Sequence, residues 1–123
     1  MQIRVYYEDT DAGGIVYHTN YIKYCERARS EHFFSRGMVP HGSGMSGFVV
    51  RNLTADYLSI SKLGDLLTVK SAVKEYKKSS LILTQEIYNK DVKVFSMNIV
   101  LVYVEEARPA RIPKEFIELF DSL

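Results

Sequence analysis

The chain has 123 residues, 46% hydrophobic and 12% aromatic, with a formal net charge of +1. That length suits one self-supporting core over residues 1–123, and sixteen basic against fifteen acidic residues, spread rather than blocked, exclude nucleic acid as an expected partner. A lone Cys25 excludes an internal disulfide, and no basic-then-apolar leader or bilayer-length apolar run is present, so a cytoplasmic location is expected.

In chain order, Met1 to Tyr7 alternates Ile3, Val5 and Tyr7 against Gln2, Arg4 and Tyr6, which predicts a first strand. The segment Glu8 to Gly14 follows, and its paired Gly13 and Gly14 mark a turn in which side chains would be in the way. From Val16 to about Phe34, apolar residues recur at three and four (Tyr17, Tyr21, Tyr24/Cys25, Ala28, His32/Phe33) and predict an amphipathic helix of roughly five turns. Gly37 ends it. The glycine-rich stretch to Gly47 predicts a mobile loop.

Beyond the loop the pattern turns to β-branched and aromatic alternation, predicting strands near Phe48–Tyr57, Asp65–Tyr76, Ser80–Asn89 and Val92–Glu105. Short turns at Lys77–Ser79 and Asn89–Asp91 make the last three an antiparallel meander. Pro109 and Pro113 precede a short terminal helix from Lys114. The expected class is α+β, one long helix against about five antiparallel strands.

The last strand is apolar on both sides, with Val94, Val100, Val102 and Val104 on one and Phe95, Met97, Ile99, Leu101 and Tyr103 on the other. One helix covers one face. The other is expected to be buried by a second copy of the chain, unless the terminal helix folds back over it.

The chemistry is expected between Tyr7 and His18, where carboxylates stand directly before a glycine turn and a helix start. A helix start offers unpaired N–H groups that stabilise charge on a carbonyl oxygen, and a carboxylate beside that carbonyl can attack it or deprotonate water. From the residues alone two readings stay open, because Asp11 can equally cap the helix or close the turn.

The stretch VYYEDTDAGGIVYHTNYIKYCERAR resembles the signature of the YbgC-type acyl-CoA thioesterases, in the hydroxybenzoyl-CoA thioesterase-like branch of the hotdog-fold superfamily. Phe48–Arg51 with Asp56-Tyr57, Leu63-Gly64-Asp65, Ser79-Ser80-Leu81 and the Pro109-to-Pro113 exit resemble further family landmarks, so the likeness covers nearly the whole chain. It implies a hotdog fold assembled as dimers, usually dimers of dimers. It also implies an acyl-CoA substrate, with coenzyme A as part of that substrate and no separate cofactor or metal. Asp11 falls on the family's catalytic carboxylate, acting as nucleophile or general base, and the carbonyl-polarising backbone N–H falls on His18. The histidine ring, where hydroxybenzoyl-CoA thioesterases commonly carry an aromatic, suits a proton donor to the departing thiolate or a partner for Asp11.

Tyr7 is placed to orient Asp11 or water, or else simply packs in the strand; Asp9 and Thr10 are read as shaping the turn, with Asp9 a second-choice carboxylate, and Glu8 as solvated. Gly14 and Tyr17 in the signature, and Lys62, Lys77, Lys78 and Ser79 at two strand turns, are the expected substrate-binding positions, the lysines for the phosphates of coenzyme A. Cys25 reads as core, and His18, His32 and His41 lack metal-ligand spacing. A hotdog dehydratase is disfavoured because His18 lacks a proline-rich approach. The competing reading from another class is a binding module for acyl-CoA or acyl carrier protein, connected through the resemblance with phospholipid synthesis and the Tol-Pal envelope system.

Overall fold

A computed structural model describes residues 1–42 and 44–123; Ser43, within the glycine-rich loop, lies outside the described residues. Strand β1 (Gln2–Arg4) leads through a short 3-10 turn (Tyr7–Asp9) to the long helix α1 (His18–Ser35). Then follow β2 (Gly47–Tyr57), β3 (Leu66–Tyr76), β4 (Ser80–Asn89), β5 (Val92–Glu105), β6 (Arg108–Pro109) and helix α2 (Lys114–Asp121). All strand pairs are antiparallel, in the order β1-β3-β4-β5-β2 with β6 attached to β5.

Period-two alternation decides which side of the sheet meets α1. Leu81, Leu83, Gln85 and Ile87 of β4 and Phe95, Met97, Ile99 and Leu101 of β5 are buried, as are Tyr21, Tyr24, Cys25 and Phe33 of α1. Each such apolar side chain contributes roughly 1.5–3 kcal/mol of burial. One polar residue sits among them. Gln85 is fully buried, donating from Nε2 to the Cys25 carbonyl and to Ser71 Oγ, both at 3.0 Å, and accepting from Arg29 Nη1 at 2.8 Å. Helix and sheet are thereby keyed in one register, since a slipped helix would strand a buried amide.

Helix α2 lies on the same side as α1. Phe116 and Phe120 meet Phe33 and Phe48 edge-on or tilted, with centroids 5.2–5.9 Å apart, and the Tyr76 hydroxyl donates to Asp121 Oδ1 at 2.6 Å. The terminal helix therefore does not cover the opposite face. There Val49 is 48% exposed and Val100 and Val104 are partly exposed. Val94 departs from the simple alternation: it is buried, and its carbonyl accepts the N–H groups of Leu58 and Ser59 at 2.9 and 3.2 Å.

Three boundaries differ from the sequence reading. Strand β1 stops at Arg4 rather than Tyr7, α1 starts at His18 rather than Val16, and a sixth strand, Arg108–Pro109, is added. No helix among the described residues is long and apolar enough to cross a membrane.

Candidate active site

The site begins where β1 ends. Val5 N–H still donates to Asp65 O at 2.9 Å, but the next amide, Tyr6 N–H, turns to Asp9 Oδ2 at 2.9 Å. The Asp9 carboxylate is thus spent on the turn, and Asp9 is only 8% exposed. This buried acceptor pulls the chain out of the sheet and into the 3-10 turn.

Residues 9–17 fold into a narrow hairpin. Tyr17 N–H donates to Asp9 O at 3.0 Å, Thr10 pairs with Val16, Asp11 N–H donates to Ile15 O at 2.9 Å, and Gly14 N–H returns to Asp11 O at 3.0 Å. Gly14 sits at φ +80°, and a side chain on Gly13 would place its Cβ 3.1 Å from Asp11 Oδ1. The hairpin is in turn sewn to the β2–β3 connection, by Val16 N–H to Ser61 O at 2.9 Å and a bridge between Ile15 and Lys62. Beneath it Asn20 Nδ2 donates to Asp9 O at 2.8 Å. The buried Tyr24 hydroxyl also faces this layer; burial first, and the Asp9 charge second, raise its pKa.

Asp11 therefore stands exposed near a rigid hairpin tip. Its Oδ1 accepts Gly13 N–H at 2.8 Å, and among the described residues it joins no ion pair. It does not cap α1: the capping position is Tyr17, which makes no side-chain capping bond. The turn-closing alternative is met by one oxygen, and the other is left to react or bind.

His18 is the first residue of α1, and its N–H donates to no described residue, the ordinary condition of an opening helical turn. Its carbonyl is fixed by the Tyr57 hydroxyl at 3.0 Å. The exposed ring lies between Tyr17 (4.7 Å, tilted by 59°) and Tyr57 (5.9 Å, edge-on), and no hydrogen bond joins it to Asp11.

The other expected site residues divide. Gly14 and the half-exposed Tyr17 share the hairpin with Asp11, and Lys62 is held against that hairpin by its backbone pairing with Ile15. Tyr7 lies in the 3-10 turn rather than in a strand, 83% exposed, with its carbonyl accepting from Thr10 Oγ1 at 2.9 Å, so strand packing does not account for it. Lys77, Lys78 and Ser79 sit in the β3–β4 turn, at the far end of β3 from Lys62. Eleven residues of strand separate the two ends, roughly 35 Å at the rise of an extended chain. Within one chain they do not share a site.

Cys25 is fully buried in the core, and His32 is occupied with the Leu119 carbonyl and Ser122 hydroxyl at 2.7 and 3.0 Å. The sequence reading did not single out Asn20 or Ser61, and it quoted Tyr57 only as a landmark. Their contacts with Asp9, Val16 and His18 are made between residues distant in the chain, and only Asn20, two residues past His18, falls within the signature stretch.

The family model described as the thioesterase superfamily matches residues 13–96. The chain belongs to the thioesterase superfamily. Within it, the chain is similar over its whole length to an acyl-CoA thioesterase YbgC of Helicobacter pylori, 42% identical with all of both proteins covered. It is 35% identical to an acyl-CoA thioester hydrolase YbgC of Escherichia coli, over 96% of this chain and 92% of that one. Among solved structures it is similar to a probable thioesterase from Bartonella henselae, with a TM-score of 0.84 and 29% identity over 92% of this chain and 97% of that one. This thioesterase accordingly has the hotdog arrangement that the signature implies, and its enzyme class is thioester hydrolase.

Proposed function

We propose that this thioesterase hydrolyses acyl-CoA to the free acid and coenzyme A at Asp11. One observation carries the reading: an exposed carboxylate with a single turn bond, held by a hydrogen-bonded hairpin that leads into a helix whose first N–H is uncommitted.

The thioester carbonyl oxygen accepts the His18 N–H, where the helix dipole favours the charge that develops. Asp11 then acts in one of two ways. As base it takes a proton from water, whose oxygen bonds to the carbonyl carbon as the carbon–sulfur bond breaks. As nucleophile its own oxygen forms that bond, expelling the thiolate and leaving a mixed anhydride that water opens. The His18 ring, which makes no hydrogen bond among the described residues, is the donor to the departing thiolate. Tyr7, Gly14 and Tyr17 border the bound thioester, and Lys62 is the phosphate contact best placed in the same chain.

Chains are read as assembling through the uncovered sheet face and the terminal strand β2. The edge of β2 is taken at its start by the Pro40–His41 segment, through Phe48 N–H to Pro40 O and a bridge between His41 and Gly47, and runs open beyond it among the described residues. In such an assembly Lys77, Lys78 and Ser79 of one copy serve the site of another.

The deciding experiment measures thiol release from short, long and aromatic acyl-CoAs by the unaltered protein, Asp11→Asn and His18→Ala. Asp11→Asn is expected to keep its fold and assembly and to lose at least ~100-fold in rate. Near-full activity of that variant overturns the role of Asp11. Tight binding with no thiol release by the unaltered protein favours the acyl-CoA or acyl-carrier-protein binding module of phospholipid synthesis or the Tol-Pal system instead.

A further inference from the structure

Two buried groups beneath the Asp11 hairpin are each short of a partner. The Asp9 carboxylate, nearly sealed from solvent, holds Tyr6 N–H on Oδ2, and among the described residues it joins no ion pair. A carboxylate has room for about four hydrogen bonds, and a buried charge served by one is costly. The Tyr24 hydroxyl is the second group. Tyr24 is 1% exposed, and its oxygen meets no hydrogen-bond partner among the described residues.

The phenol has no way out to water. Tyr21 stands edge-on to it with centroids 6.3 Å apart and is itself stacked on Phe95 at 5.3 Å, which holds the Tyr24 ring in the core. Burial first, and the Asp9 charge second, raise the Tyr24 pKa, so that charge is felt at the ring's tip. Ser61 Oγ, the other buried hydroxyl without a partner, adjoins Tyr21 instead. An acceptor short of donors thus faces a donor short of an acceptor, and a bond between them relieves the desolvation of both.

Helical spacing brings Tyr24 to this layer. Asn20 stands one turn earlier on the same side of α1, and its Nδ2 donates to the Asp9 carbonyl at 2.8 Å. Position 20 thus serves the main chain of Asp9, and position 24 faces its side chain. A donor at each ties two successive turns of the helix to one residue. Asp11 follows Asp9 by two residues, and His18, whose N–H is read as the partner of the thioester carbonyl, opens the same helix. The spacing between the carboxylate and the helix start is therefore set through Asp9. One tie, at the first turn, lets the hairpin swing about it, whereas two fix it, and small misplacements of a reacting group cost rate steeply.

Resting on the acyl-CoA reading above, we propose that the Tyr24 hydroxyl donates to the Asp9 carboxylate, and that this buried pair makes Tyr24 a positioning residue for thioester hydrolysis by holding the Asp11 hairpin against the start of α1.

A double-mutant cycle tests this, with kcat, KM and unfolding measured for the unaltered protein, Tyr24→Phe, Asp9→Ala and the two changes combined. Tyr24→Phe keeps the ring and removes only the hydroxyl, and its kcat is expected to fall about fivefold or more with KM within about twofold. In the Asp9→Ala background the same change is expected to have almost no effect. Asp9→Asn, which keeps an oxygen for Tyr6 N–H, takes the place of the alanine variant if that fails to fold. The Raman doublet of tyrosine, read as the difference between unaltered protein and Tyr24→Phe, reports the state of that one hydroxyl without any turnover, and a donor signature is expected. The kcat loss in Tyr24→Phe together with near-full activity of Asp11→Asn counts against the role of Asp11 alone and leaves the pair as what positions the site. A hydroxyl that does not donate, unchanged kcat in folded Tyr24→Phe, a loss carried by KM, or a loss of equal size with and without the Asp9 carboxylate overturns the proposal.

Discussion

The N–H of Tyr17 donates to the carbonyl of Asp9 across 3.0 Å, closing the base of the hairpin that carries Asp11. The same Asp9 carbonyl takes the Asn20 side chain, and the Asp9 carboxylate takes Tyr6 N–H, so one residue holds the end of β1, the hairpin and the first turn of α1 together. Asp9→Ala strands a partly buried amide and is expected to cost about 1–3 kcal/mol of stability. Denaturant unfolding checks the loss. At a temperature where the variant stays folded, kcat is expected to fall more than KM rises, because the hairpin positions Asp11 rather than gripping substrate.

Gly13 offers a more local test. The Cβ of a residue there meets Asp11 Oδ1 at 3.1 Å, and its N–H is the partner of that oxygen. Gly13→Val is expected to leave the melting temperature within a few degrees while turning the carboxylate aside, with a loss of at least ~10-fold in kcat. Unchanged kcat in a folded Gly13→Val protein would mean that the orientation of Asp11 is set elsewhere.

Removing the Tyr57 hydroxyl releases the carbonyl of His18. Tyr57→Phe keeps the ring against Tyr21 and Phe95 and deletes one hydrogen bond, worth roughly 0.5–1.5 kcal/mol. Thioester hydrolysis is expected to slow several-fold with little change in unfolding midpoint, read from parallel kinetic and thermal measurements.

Cys25 is fully buried, and burial pushes its thiol up to about 12 from an ordinary 9.0. The folded state therefore resists forming the thiolate. Its contribution to stability is whole below the unfolded pKa and is lost as pH rises from about 9 towards 12. Native protein at pH 8 is expected to leave a disulfide reagent unreacted for as long as it stays folded, and one equivalent of thiol should appear on denaturation. Fast labelling of active enzyme, with activity lost in step, would overturn the assignment of Cys25 to the core.

Strands β2 to β5 were legible because alternation is a local signal, and burial follows it cleanly along β4, less so along β5, where Val94 and Val102 are buried as well, and along β2, where Val50 is exposed. The differences arise where distant or unusual partners intervene. Val16 looks helical by spacing but is taken by Thr10 and Ser61, which delays the helix to His18. β1 ends early because Asp9, five residues ahead of Arg4, offers a carboxylate to Tyr6 N–H in place of a neighbouring strand. Strand β6 follows a turn at Glu106 and Ala107, both at positive φ (49° and 63°) without the glycine or asparagine that ordinarily advertises such a hairpin. The Asp11 hairpin was found from its carboxylates and glycines, whereas Ser61 carried no mark, lending its carbonyl to Val16 from the β2–β3 connection, far along the chain.

Tyr57 is the last residue of β2, the strand on the sheet's free border, and its phenol reaches the opening turn of α1. The hydroxyl that steadies the helix is thus carried by the end of an edge strand. If chains assemble along that border as proposed, dilution that separates them is expected to slow thioester hydrolysis before any unfolding, a loss read from rates over a dilution series.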